Sequence, residues 1–115
     1  MARVVAFVPD LLFGSNVVGG LRAGGHDPVL VGAAAGVRDA LVGADVLVVD
    51  LTADAEARIA ASMDAVAGSG VRTLGFFAHV EGDVRAAAVA AGFDLVVPRS
   101  RMARAMASLV DELTA

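Results

Sequence analysis

The chain has no cysteine and no lysine. Without thiols there is no disulfide, thiolate metal site or cysteine nucleophile. Without an ammonium group there is no Schiff base, no phosphate-loop lysine and no mechanism that tunes an amine; all nine basic residues are arginine. Tryptophan and tyrosine are also absent, and aromatics make up 4% of the chain. No apolar run approaches the roughly 18 residues of a membrane span. Acids and arginines are interleaved around a net charge of −4. No basic stripe forms, so no nucleic-acid partner is expected. Neither a G-x-G-x-x-G fingerprint nor a phosphate loop occurs, which leaves dinucleotide and ATP binding without support.

What is present is a set of short apolar strands separated by alanine-rich helical stretches. Hydrophobic residues form 57% of the 115 positions, enough for the core of a single domain spanning residues 1–115. The most informative stretch is Asp45-Val46-Leu47-Val48-Val49-Asp50. Its continuous apolar centre reads as a strand buried on both faces, in the middle of a parallel sheet. Further strands are expected at residues 3–8, 28–31, 71–77 and 95–97, the last broken by Pro98. Helices are expected at 12–23, about 34–43, from Thr52 as cap to about 67, at 82–91, and from Ser100 onward. Met102 and Met106 fall on the apolar side of the last helix and read as core.

Five strand-helix units with short links predict an α/β fold, a single doubly wound parallel sheet in the order 2-1-3-4-5 with helices on both faces. Asp10, Asp50, Ala78 with His79, and Pro98 to Ser100 would then converge on its carboxyl edge, where such sheets place their sites. No secretory signal is expected, because Met1-Ala2-Arg3 leads directly into the first strand. The expected compartment is the cytoplasm.

At this point the residues resemble a known family. Val46-Leu47-Val48-Val49-Asp50-Leu51 is similar to the phosphoacceptor strand of response-regulator receiver domains, and Phe7-Val8-Pro9-Asp10 to their first strand with its acidic end. Ala90 to Val97 resembles their fifth unit. The resemblance makes Asp50 the phosphoacceptor equivalent and implies two-component signalling. It also exposes departures. Receivers hold Mg²⁺ with an acidic pair after the first strand, and here Pro9 replaces the first member, leaving Asp10. The hydroxyl expected after the fourth strand is missing from Phe77-Ala78. Pro98, followed by Arg99, stands where a lysine would pair with the phosphoryl group. Phosphoryl transfer depends on positioned charge, so a site lacking these parts is expected to be slow or dead.

Each candidate carries two readings. Asp50 is a retained site residue or the cap of a turn, and Asp10 a cation ligand or a turn residue. His79 joins the two acids as a metal ligand, or is simply solvated. Arg99, Ser100 and Arg101 form an anion site at the start of the last helix, or Ser100 is an N-cap beside two solvated arginines.

Two function classes follow. The first is a non-enzymatic pseudo-receiver: an atypical, non-phosphorylated signalling or protein-interaction domain with no cofactor beyond weakly held Mg²⁺. Its partner would be another protein, or a second copy meeting it in a homodimer through helix four, strand five and helix five (Ala86 to Ala91 and Arg101 to Leu113). The second is a flavodoxin-like binder of an anion, metal or cofactor, or a minor enzyme, using the same edge. Cobalamin domains of that class place a histidine after the first strand, and flavin domains stack an aromatic on the ring; neither feature is found here. The first class is the expectation, and it rests largely on fold analogy.

Overall fold

The computed structural model describes residues 1–78 and 82–115. The elements alternate as β1 (Arg3–Phe7), α1 (Leu11–Ala23), β2 (Asp27–Val31), a 3-10 turn (Ala34–Gly36), α2 (Val37–Ala40), β3 (Val46–Asp50), α3 (Ala55–Val66), β4 (Arg72–Phe77), α4 (Gly82–Ala91), β5 (Leu95–Pro98) and α5 (Arg99–Thr114). The strands form one five-stranded sheet, ordered β2-β1-β3-β4-β5. Every pairing is parallel. The doubly wound fold and strand order expected from the sequence are those observed. Among the described residues no helix is long and apolar enough to cross a membrane.

Side-chain alternation assigns each strand residue to one of two layers. Val4, Ala6, Val46, Val48, Leu74, Phe76 and Val97 face α1 and α5, where they meet Phe13, Val17, Leu21, Met102, Met106 and Leu109. Val5, Phe7, Leu47, Val49, Phe77 and Val96 face the other way, onto Val37, Leu41, Ile59, Ala88 and Phe93. All five residues of β3 are buried, as its unbroken apolar run requires. The two methionines are core residues, as their spacing predicted. α1 and α5 approach closely because Gly20 faces Met106 and Gly24 faces Ala107; a Cβ at either glycine would overlap its neighbour.

Three helix boundaries differ from expectation. The alanine-rich stretch 34–43 forms only the 3-10 turn and one turn of α2. Its buried apolar contacts reduce to Val37 and Leu41, too few to hold a longer helix, and Gly43 leaves it in the left-handed region at φ 78°. α3 begins at Ala55 rather than after Thr52, with Asp54 at its N-cap position at φ 48° and without a capping side-chain bond. Ser100 does not cap α5. That helix starts at Arg99 behind Pro98, an edge-strand residue whose missing N–H costs nothing there, and Ser100 lies inside the first turn.

Candidate functional site at the carboxyl edge of the sheet

β3 delivers Asp50 to the carboxyl edge, where its side chain is almost entirely withdrawn from solvent at 5% exposure. Burial of a carboxylate requires partners, and the next two turns of chain supply them. Oδ1 accepts hydrogen bonds from the Thr52 backbone N–H at 2.8 Å and from the Thr52 hydroxyl at 2.5 Å. This Asx-type turn occupies Thr52 and explains why Thr52 does not cap α3. Arg58, one turn into α3, reaches back over the same residue. Its Nη1 donates to the Asp50 carbonyl at 3.0 Å and lies 3.7 Å from Oδ2. Nη2 lies 3.8 Å from Asp54 Oδ2, and the guanidinium carbon is 5.9 Å from the centre of the Phe7 ring.

Arg58 is 14% exposed, so its charge faces Asp50 with little water between them. The sequence held one sign of this cation, the i,i+4 spacing of Asp54 and Arg58. Its reach back to Asp50 depends on the path of residues 51–54, which no local pattern displays.

Asp10 is spent differently. It caps α1, accepting from the Phe13 N–H at 2.9 Å, so its carboxylate serves a helix end. Among the described residues no group of three or more His, Asp or Glu side chains is placed to hold a metal ion. His79, the third suggested ligand, lies outside the described residues. Beyond β4 the edge offers Ala78, and beyond β5 Arg99, whose guanidinium lies 4.4 Å above the Phe13 ring. Arg99 and Ser100 line a depression of about 420 Å³ with Phe13, Ala78 and Ala103; Arg101, exposed on α5, does not line it. Leu11 does not cover the edge, being 81% exposed, whereas Phe77 is buried in the core.

Near Asp50 a cleft of about 810 Å³ opens between the ends of β1 and β2 and the first turns of α3. Phe7, Pro9, Ala33 and Ala57 give it apolar walls, and Asp54, Glu56 and Arg58 its polar groups.

No family model and no curated protein sequence matches this chain. Solved structures do. The receiver domain of the TMAO respiratory system response regulator TorR is similar over 99% of this chain and 97% of its own, with a TM-score of 0.87 at 15% identity. A response regulator from Thermotoga maritima is similar over 98% and 97% respectively, with a TM-score of 0.83 at 14% identity. A putative pilus assembly-related protein from Burkholderia pseudomallei is similar over 98% of this chain and 89% of its own, with a TM-score of 0.82 at 20% identity. Length, element order, sheet order and these likenesses agree: the chain has the fold of response-regulator receiver domains.

Proposed function

We propose that this is a receiver-like signalling domain of the cytoplasm that works by presenting a surface to a protein partner, without phosphorylation of Asp50 and without turning over a substrate. The observation that carries this reading is the state of Asp50. One carboxylate oxygen accepts both Thr52 donors and the other faces Arg58. An attacking carboxylate must be open to the phosphoryl donor and flanked by charges that stabilise the transferred group. Here the flanking charge is a guanidinium already fastened to the same residue, and Asp10 is fastened to α1. Two isolated acids bind Mg²⁺ no more tightly than roughly millimolar. Incubation with acetyl phosphate and Mg²⁺, followed by intact-mass analysis, is expected to show the unmodified chain alone. A phosphoryl adduct that disappears in Asp50→Asn would overturn the proposal.

The same reading extends to self-association through α4, β5 and α5. Arg101, Arg104 and Glu112 are exposed on α5, and Ala86, Ala87, Ala90 and Ala91 on α4 let backbones approach. Asp111 is less available, since its Oδ1 lies 2.9 Å from His26 Nε2 in the same chain, although off the line that a hydrogen bond needs. Alanine contributes little apolar area at about 25 cal/mol per Å², so the dimer is weak and salt-sensitive. Light scattering over a concentration series at low salt is expected to show it; a strictly monomeric chain there rules it out.

A further inference from the structure

The cleft beside Asp50 is broad and open, and its walls are made of small side chains. Phe7 and Pro9 stand at the end of β1, Ala33 and Ala34 on the link from β2, and Ala57 and Ala60 on α3. It does not end at α3. A second depression shares Ala55 and Glu56 with it and continues between α3 and α4 past Ile59, Val84 and Ala87. A small molecule in so open a trough would leave much of its surface in water, whereas a length of polypeptide would cover the alanines along it.

Charge narrows the choice of polypeptide. Asp54 and Glu56 belong to the cleft and Asp83 to its continuation. The Asp54 side chain is 80% exposed, and Glu56 makes no ion pair among the described residues. The cation of the cleft, Arg58, is already balanced by Asp50 and Asp54. The trough is therefore apolar at its walls and negative at its rim. The opposite distribution is found at the start of α5, where Arg99, Arg101 and Arg104 are exposed. That turn belongs to the separate self-association face.

We infer that this trough across α3 is the docking surface for a basic amphipathic segment of a partner protein, with apolar side chains against Pro9, Ala33 and Ala57 and arginine or lysine against Asp54 and Glu56. The inference rests on the protein-interaction reading above and supplies its surface and partner chemistry. Complementary charge sets orientation and encounter rate; the apolar contact sets how long the segment stays.

The probe is a fluorescein-labelled amphipathic helix built from leucine, alanine and arginine, with a glutamate-for-arginine version as control. Anisotropy is expected to show saturable binding of the basic probe only, and ¹⁵N amide shifts to concentrate at residues 32–34 and 54–60. Glu56→Arg is expected to weaken binding at least tenfold by charge. Ala57→Phe, at an exposed helical position, is expected to weaken it similarly by filling the cleft with no change of charge. Absence of binding overturns the inference, as do shifts spread over the whole surface or unaltered binding to Ala57→Phe. Concentration-dependent shifts at 32–34 and 54–60 without probe would assign the trough to a second copy and overturn it too. Acetyl phosphate treatment of the same sample separates the two readings: a phosphoryl adduct with probe binding intact removes the phosphorylation-free reading and leaves the docking surface standing.

Discussion

The two ends of the sheet are built alike, although in receivers only one of them does chemistry. At the amino end, Asp45 Oδ2 accepts from the Arg3 N–H at 2.9 Å, and His26 Nδ1 accepts from the Ala2 N–H at 3.0 Å. Asp94 Oδ2 there accepts from the Thr73 N–H at 2.8 Å and its hydroxyl at 3.1 Å. At the carboxyl end Asp10 takes the Phe13 N–H, and Asp50 takes the Thr52 N–H and hydroxyl. Asp50 with Thr52 thus repeats Asp94 with Thr73: one carboxylate oxygen holding the amide and hydroxyl of a single threonine. Each acid also meets an arginine at its other oxygen, Arg72 Nη1 at 3.4 Å from Asp94 Oδ1 and Arg58 Nη1 at 3.7 Å from Asp50 Oδ2; the ends differ in burial, Arg72 being 58% exposed and Arg58 14%. The comparison teaches that a carboxylate at the carboxyl edge can hold its turn as one at the amino edge does, and that such a clamp is recognised by what its oxygens already hold.

The largest effect is expected at the amino end. Thr73 is 1% exposed, so Asp94→Ala leaves its amide and hydroxyl without their carboxylate acceptor and removes the ion-pair partner of Arg72. Hydrogen bonds to charged groups contribute about 1.5–3 kcal/mol each, and stranded buried donors keep their desolvation cost. A loss of roughly 2–3 kcal/mol is expected, read as a lower urea midpoint with an unchanged slope. A loss below about 0.5 kcal/mol, typical of an ordinary surface substitution, would show that the amino-end clamp is not structural and break the parallel.

The clamps also mark where sequence reasoning stops. The strands and the apolar faces of α1 and α5 were legible, because five apolar runs and the 3.6-residue spacing of Val17, Leu21, Met102 and Met106 are local patterns, and the sheet order followed from the usual topology of alternating strands and helices. α4 was legible to both ends, Gly82–Ala91. The starts of α3 and α5 were not. Thr52 and Ser100 carry the side chains that cap helices, but the first is bound by Asp50, and for the second the N-cap position is already taken by the extended Pro98, so that α5 begins at Arg99. Asp94 with Thr73 and Asp45 with Arg3 join residues 21 and 42 positions apart, so they exist only once the sheet has formed. Of the carboxyl edge, the position of Asp50 at the end of β3 could be read; the approach of Arg58, which on the reading proposed above decides what Asp50 does, could not.

Asp50→Asn tests that decision by sign. An amide oxygen still accepts from Thr52, so the turn survives, but the charge facing a nearly buried guanidinium is lost. A carboxylate crowded by other acids gains stability when neutralised; one facing a cation loses it. A destabilisation of about 1–2 kcal/mol is expected from urea unfolding. A stabilised Asp50→Asn would mean that acidic repulsion dominates the edge, as in a metal-binding pocket, and that Arg58 is not its counter-ion.

The smallest effect is expected at Asp10, because its partner is a helix end near solvent. An N-cap aspartate contributes about 1 kcal/mol relative to alanine, and serine performs the same task nearly as well. Asp10→Ala should therefore lower the unfolding midpoint modestly, and Asp10→Ser should return most of it. A cation ligand would behave otherwise. Serine brings no negative charge, so a Mg²⁺ site using Asp10 would lose its affinity in both variants, and Mg²⁺ would stabilise the parent chain above them by linkage. Equal midpoint shifts of all three proteins across a Mg²⁺ titration are expected, since the Asp10 carboxylate is held by the Phe13 amide. A Mg²⁺-dependent stabilisation confined to the parent would show that the two ends of the sheet diverge at Asp10 after all.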